Sequence, residues 1–147
     1  PAPAPAVPEV EPTPTAEVVS PTPADPHNLS AALGQLLGGS RRAAKVPAMA
    51  ALTALADGEQ VEIVLVGRFR GHEAVAILTD RRVLLANSRE WDPEIVSVEN
   101  LSGLEVEGWI ERRAATLRLT DGTMAHVIDR INDTSVAETF TTALRAR

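Results

Sequence analysis

The chain predicts a mainly β domain closed by one C-terminal helix. Two apolar runs, Ala74-Val75-Ala76-Ile77-Leu78 and Val83-Leu84-Leu85-Ala86, flank the polar break Thr79-Asp80-Arg81-Arg82 and read as an antiparallel hairpin. The stretch Ala115 to Thr120 alternates strictly and meets Asp121-Gly122, a hairpin signal for a type I′ turn. Val136, Ala137, Phe140, Ala143 and Leu144 fall on one helical face at the end of the chain. A sheet of short antiparallel strands must curl or split to cover its inner face, and a final amphipathic helix is a natural plug for the open end.

Taken in order, Leu29, Leu33, Leu36 and Leu37 form the stripe of a first short helix over Asn28 to Gly38, ended by Gly38-Gly39. Ser40 to Lys45 reads as a basic connector. Pro47 suits the first turn of a second helix, with Met49, Leu52, Leu55 and Ala56 as its apolar face. Strand one runs from Val61 to Val66 and on to Phe69 and Arg70, with a turn at Gly71-His72. The hairpin above supplies strands two and three, with Asp80 accepting from an amide two residues on. Asn87 to Pro93 is a polar loop holding Trp91. Glu94 to Val98 and Leu101 to Trp109 give strands four and five, Ala115 to Thr120 strand six, and Thr123 to Ile128 strand seven. Ser135 and Glu138 fit a capping box for the last helix.

Composition separates the ends of the chain. Nine of the 11 prolines lie in the first 26 residues, with four acids and no base. Such a stretch buries too little to offset the entropy of ordering, so residues 1–27 read as a disordered, semi-stiff Pro/Ala-rich linker. Residues 28–57 read as a helical lead and 58–147 as the β domain. The net charge is -6, of which the first 26 residues supply -4. A mildly acidic domain is a poor polyanion binder, so nucleic acid is not the expected partner. With no cysteine, disulfides and Cys-based metal sites are excluded, and the three histidines, at 27, 72 and 126, show no metal-ligand spacing. No Ser-His-acid arrangement and no Gly-rich phosphate loop is present. No run approaches 18 apolar residues, so no transmembrane helix is expected. Thirteen arginines against one lysine suggest an actinobacterial-type, GC-rich coding bias. A chain beginning with Pro reads as part of a longer protein.

The motifs Asp57-Gly58-Glu59, Leu78-Thr79-Asp80-Arg81-Arg82-Val83 and the helix from Ser135 resemble a bacterial pleckstrin-homology (PH) domain of the YokE-like type, over roughly Leu52 to Arg147. The resemblance departs at Leu84-Leu85, where the family often has an aromatic. It implies a PH-like split barrel of two near-orthogonal antiparallel sheets capped by the C-terminal helix. Carried over from lipid-binding PH domains, it nominates Arg68, Arg70 and Arg82 as headgroup ligands, Arg offering a donor fork suited to phosphate. Arg82 has a structural alternative, bracing its turn with Asp80. For protein contacts the candidates are the stripe Leu29, Leu33, Leu36 and Leu37, a spare apolar face, together with Trp91 and Trp109, the latter beside Arg112-Arg113. The expected function is a non-catalytic, cofactor-free adaptor that binds a partner protein or another copy. The alternative is a membrane-surface module with weak affinity for acidic lipid. The expected location is the cytoplasm, at the membrane if a longer protein carries it there.

Overall fold

The computed structural model describes residues 25–99 and 101–147. Of the expected linker, only Asp25, Pro26 and His27 fall among them, and all three are held by the fold. The Asp25 carboxylate accepts from the Ser30 and Ala31 amides, Pro26 O accepts from Gln60 Nε2, and His27 O accepts from the Val61 amide. Three residues that composition placed in the linker, Asp25, Pro26 and His27, are thus tied to the folded domain.

Three helices, α1 (Leu29–Leu33), α2 (Gly38–Leu52) and α3 (Thr134–Arg145), accompany seven strands. The strands are β1 (Val61–Phe69), β2 (His72–Thr79), β3 (Val83–Asn87), β4 (Ile95–Val98), β5 (Glu105–Glu111), β6 (Ala114–Thr120) and β7 (Ala125–Ile131). All neighbours are antiparallel, in the order β4-β3-β2-β1-β7-β6-β5. The two expected sheets are thus two halves of one continuous sheet, joined where Arg68 of β1 faces Asp129 of β7. Gly67 makes that seam. A Cβ there would stand 2.5 Å from Asp129 O and 2.9 Å from both Ile128 Cγ1 and Ile131 Cγ1, so only glycine lets the strands approach so closely.

Each half has an inner face on the main core, where Leu65, Leu78, Leu85, Leu117, Ile128 and Ile131 meet Phe140 and Leu144 of α3. As the plug reading requires, α3 packs on β1, β5 and β6. Its start differs from the expected capping box. Asp133 is the N-cap residue, without a side-chain cap, and its carboxylate accepts instead from Ser135 Oγ and the Leu37 amide.

The helical lead covers the outer face of the first half. Leu29, Leu36, Ala44, Ala48 and Ala51 bury Val64, Val66, Val75, Ile77, Leu84 and Ala86 from outside. This explains why β2 and β3 read as unbroken apolar runs: both their faces are covered. The lead itself departs from expectation. The first helix has only five residues, and Gly38-Gly39, expected to stop it, open α2. Pro47 lies inside α2, not at its start, and, having no N–H, it donates no bond to the carbonyl of the preceding turn. Packing outweighs that cost, because Ala44, Pro47, Ala48 and Ala51 form a small-residue stripe that seats the helix close against β2 and β3. Met49 and Leu52, expected on the packed face, point to solvent.

Three turns are corrected as well. The β1–β2 turn is Arg70-Gly71, both left-handed at φ 53 and 82, so Arg70 is a turn residue and does not share a strand face with Arg68. In the β6–β7 loop only Gly122 is left-handed (φ 95), which excludes type I′; the Asp121 carboxylate accepts from the Thr123 and Met124 amides instead. Between β2 and β3, Thr79 Oγ1 rather than Asp80 accepts the Arg81 and Arg82 amides, while Asp80 accepts from the Gln60 amide.

Two substitutions test this architecture by urea unfolding. Phe140→Ala should cost about 3–5 kcal/mol, as for other fully buried aromatics; a loss within about 0.5 kcal/mol would mean that α3 does not close the core. Gly67→Ala, by forcing β1 from β7, should cost at least about 1–3 kcal/mol despite adding only a methyl group.

Candidate functional site

The arginines nominated for phosphate are occupied to different degrees. Arg82 is the most committed. Its Nε donates to Glu59 Oε2 at 2.9 Å and its Nη2 to Glu59 Oε1 at 2.8 Å, a bidentate pair. Nη2 also donates to Ala54 O, and Nη1 to Ser97 Oγ. The Glu59 carboxylate is fully buried and further accepts from Thr79 Oγ1 at 2.7 Å and the Ala56 amide at 2.9 Å. The Arg82 hydrogen bonds outweigh the opposing effect of burial and hold the Glu59 carboxyl at about 2 against an ordinary 4.5. Arg82 is therefore a brace, as the structural alternative had it, but its partner is Glu59 and not Asp80.

Arg70 pairs with Glu94 across to the start of β4 and lies 4.9 Å over the Phe69 ring. Arg89 also reaches Glu94, at 3.2 Å, and the Arg70 pairing chiefly holds the Glu94 carboxyl below its usual range. Arg68 donates from Nη2 to Gly71 O at 3.1 Å, while its Nε is buried without a partner. It borders a cleft of about 360 Å³ with Arg130, Glu73, Asn132 and the start of α2. The structure does not bring the three nominated arginines together around one ligand: each serves a different local contact.

The leucine stripe is divided in the same way. Leu29 and Leu36 are buried on the outer face of β1 to β3, Leu33 is half-buried, and Leu37 is 63% exposed. Trp91 stands 99% exposed at the tip of the β3–β4 loop, in a left-handed conformation. Trp109 is 44% exposed on β5.

A concavity lies beside Trp109. A groove of about 450 Å³ runs between β5 and α3, bordered by Gly108, Trp109, Ile110, Glu138, Thr142 and Arg145, with Leu117 and Ala137 in its floor. β5 is the terminal strand of the sheet, so among the described residues one side of it has no neighbouring strand. Arg145 Nη2 donates to Val106 O at 3.1 Å, as suits a carbonyl turned to the free side. Backbone groups alternate along a strand, so the N–H and C=O of Gly108 and Ile110 face the same free side. Three acids of β5, Glu105, Glu107 and Glu111, flank this edge. Sequence reading reached Trp109 but missed Gly108, Ile110 and Arg145, because edge position follows from strand order and strand order from pairing between distant residues. It likewise missed Glu59, whose role depends on Arg82 arriving from 23 residues away.

Among the described residues no group of three or more His, Cys, Asp or Glu is placed to hold a metal ion, and no helix is long and apolar enough to cross a membrane. No protein-family model and no curated protein matches the chain. Among solved structures, the chain is similar to the crystal structure of a pleckstrin homology domain from Shewanella amazonensis SB2B. The identity is 17%, over 68% of this chain and 96% of that one, with a TM-score of 0.46.

The Glu59–Arg82 pair gives a pH signature. Between about 4.5 and 2 the unfolded chain takes up a proton that the folded chain refuses, so stability present above pH 4.5 is lost as the pH falls toward 2. The depression corresponds to about 3 kcal/mol at neutral pH. Glu59→Gln should remove about that much in urea unfolding at pH 7, and its deficit against wild type should shrink steadily toward pH 2. A deficit independent of pH would refute the assignment.

Proposed function

We propose that the chain is a non-catalytic adaptor that binds an extended polypeptide segment along the free edge of β5, in the groove beneath α3. The supporting observation is the coincidence of the terminal strand edge at Gly108 and Ile110 with a groove of about 450 Å³. Strand addition of this kind takes affinity from main-chain hydrogen bonds and specificity from alternate side chains. The floor at Leu117 and Ala137 suits small apolar side chains, and Ile110, 69% exposed on the same face, adds apolar area. Glu105, Glu107 and Glu111 on the strand and Glu138 on α3 favour a ligand with basic residues. They also oppose pairing of β5 with its own copy, which would set like charges side by side. The resemblance to the YokE-like PH type is compatible with such a role, since this superfold carries interaction sites of several kinds. Acidic lipid bound through Arg68, Arg70 and Arg82 has less support, because Glu94 and Glu59 neutralise two of the three.

The edge can be tested without disturbing the ladder. Ile110→Pro deletes an outward N–H on an edge strand, where proline is tolerated. Peptides selected on the wild-type domain from a displayed random library should be enriched in basic residues. They should lose at least about tenfold in affinity for Ile110→Pro, roughly 1.4 kcal/mol, while its unfolding temperature stays within a few degrees. Equal binding by the variant, or failure to select any peptide, would overturn the reading.

A further inference from the structure

Two exposed surfaces outside the groove have complementary chemistry. The first is the solvent face of α2. Arg42, Lys45, Val46, Met49 and Leu52 lie opposite the buried Ala44, Pro47, Ala48 and Ala51, with Val46 61% and Met49 70% exposed. The helix contains three basic residues and no acid, within a chain of net charge -6. Among the described residues neither Arg42 nor Lys45 makes an ion pair. The second is the outer face of the β5–β6–β7 half. Leu117, Leu119 and Ile128 mark the inner face, so register places Glu105, Glu107, Trp109 and Glu111 on the outer one, with Arg118 and Val127 beside them. The helical lead covers only the other half of the sheet. Val127 is 40% exposed there, and acids outnumber bases along the strand.

We propose that these two surfaces are partners in different copies of the chain: the solvent face of α2 in one copy packs on the bare outer half-sheet of the next. Within one copy they cannot meet, because the opposite face of α2 is fixed on β2 and β3. Between copies, Arg42 and Lys45 face Glu105, Glu107 and Glu111, while Val46 and Met49 cover Trp109 and Val127. The packing repeats outside the molecule what α2 already does inside it, a helix lying across the outer face of a half-sheet. Because the two patches differ, the contact is heterologous, and each copy retains one free patch of each kind. Association therefore continues head to tail beyond the dimer, to a ring or a filament. The inference does not use the peptide groove, which lies on the α3 side of β5, although Glu105, Glu107 and Glu111 border both surfaces.

Sedimentation equilibrium of the full chain, at low and high salt up to about 500 µM, tests this, since a single helix face lies at the weak end of interface sizes. Wild type should exceed dimer mass with rising concentration and fall toward monomer at high salt. Val46→Ser/Met49→Ser and Trp109→Ser/Val127→Ser change only exposed positions, and each alone should remain monomeric. Mixed, each supplies the patch that the other lacks, and the mixture should form a two-chain complex and nothing larger. A wild type that stays monomeric, a mixture that does not associate, or association that survives in either double variant would overturn the proposal.

Discussion

The buried pair of Glu59 and Arg82 is the contact on which the arrangement of the domain depends. Glu59 sits where the helical lead gives way to β1, and Arg82 sits in the turn between β2 and β3. Through the carboxylate, the guanidinium, Thr79, Ala54 O and Ser97, the end of the lead, the start of β1, the central hairpin and β4 converge on one site. A buried carboxylate is costly unless every lone pair is answered. Here four donors answer it, so the site tolerates charge at depth and fixes where the lead must leave the sheet.

The second constraint is the seam at Gly67. Seven strands bonded along their full length would make a broad twisted sheet with its inner face open. Joining the halves at one residue pair lets them turn toward each other, and α3 closes what remains. The close approach at Asp129 leaves no room for a side chain, so a methyl-sized addition is enough to oppose it. On the outside, α1 and α2 finish the first half only. Among the described residues one half-sheet is thus covered on both faces and the other on the inner face alone, and the second half also carries the terminal strand β5.

The same asymmetry redirects the functional reading from the first hairpin to β5. Arginines near a hairpin look like a phosphate site when only their spacing is known. In the folded chain Arg82 is neutralised by Glu59 and Arg70 by Glu94, and Arg70 leaves the strand for the turn. Among the described residues the outer side of β5 has no neighbouring strand and Arg42 and Lys45 of α2 make no ion pair, and neither feature announces itself as a motif.

Much of the fold was legible in the sequence because it rests on local periodicity. The period-2 pattern of β6, the two apolar runs of β2 and β3 and the amphipathic face of α3 each determine an element from its own residues. The unbroken apolar character of β2 and β3 even recorded that both their faces would be covered. Decisions that belonged to tertiary structure are those in which distant residues compete. Pro47 and two glycines argue locally against α2, yet an alanine stripe meeting the sheet outweighs them. The leucine stripe could serve an interface or the fold, and the outer faces of Val64, Ile77 and Leu84 took Leu29 and Leu36 for the fold. Arg82 could bind an anion or brace a turn, and a carboxylate 23 residues upstream pairs with it. Local pattern specifies which residues form an element; which face is buried, which charge is answered and which edge stays free are set by energies between elements, and those exist only once the chain has folded.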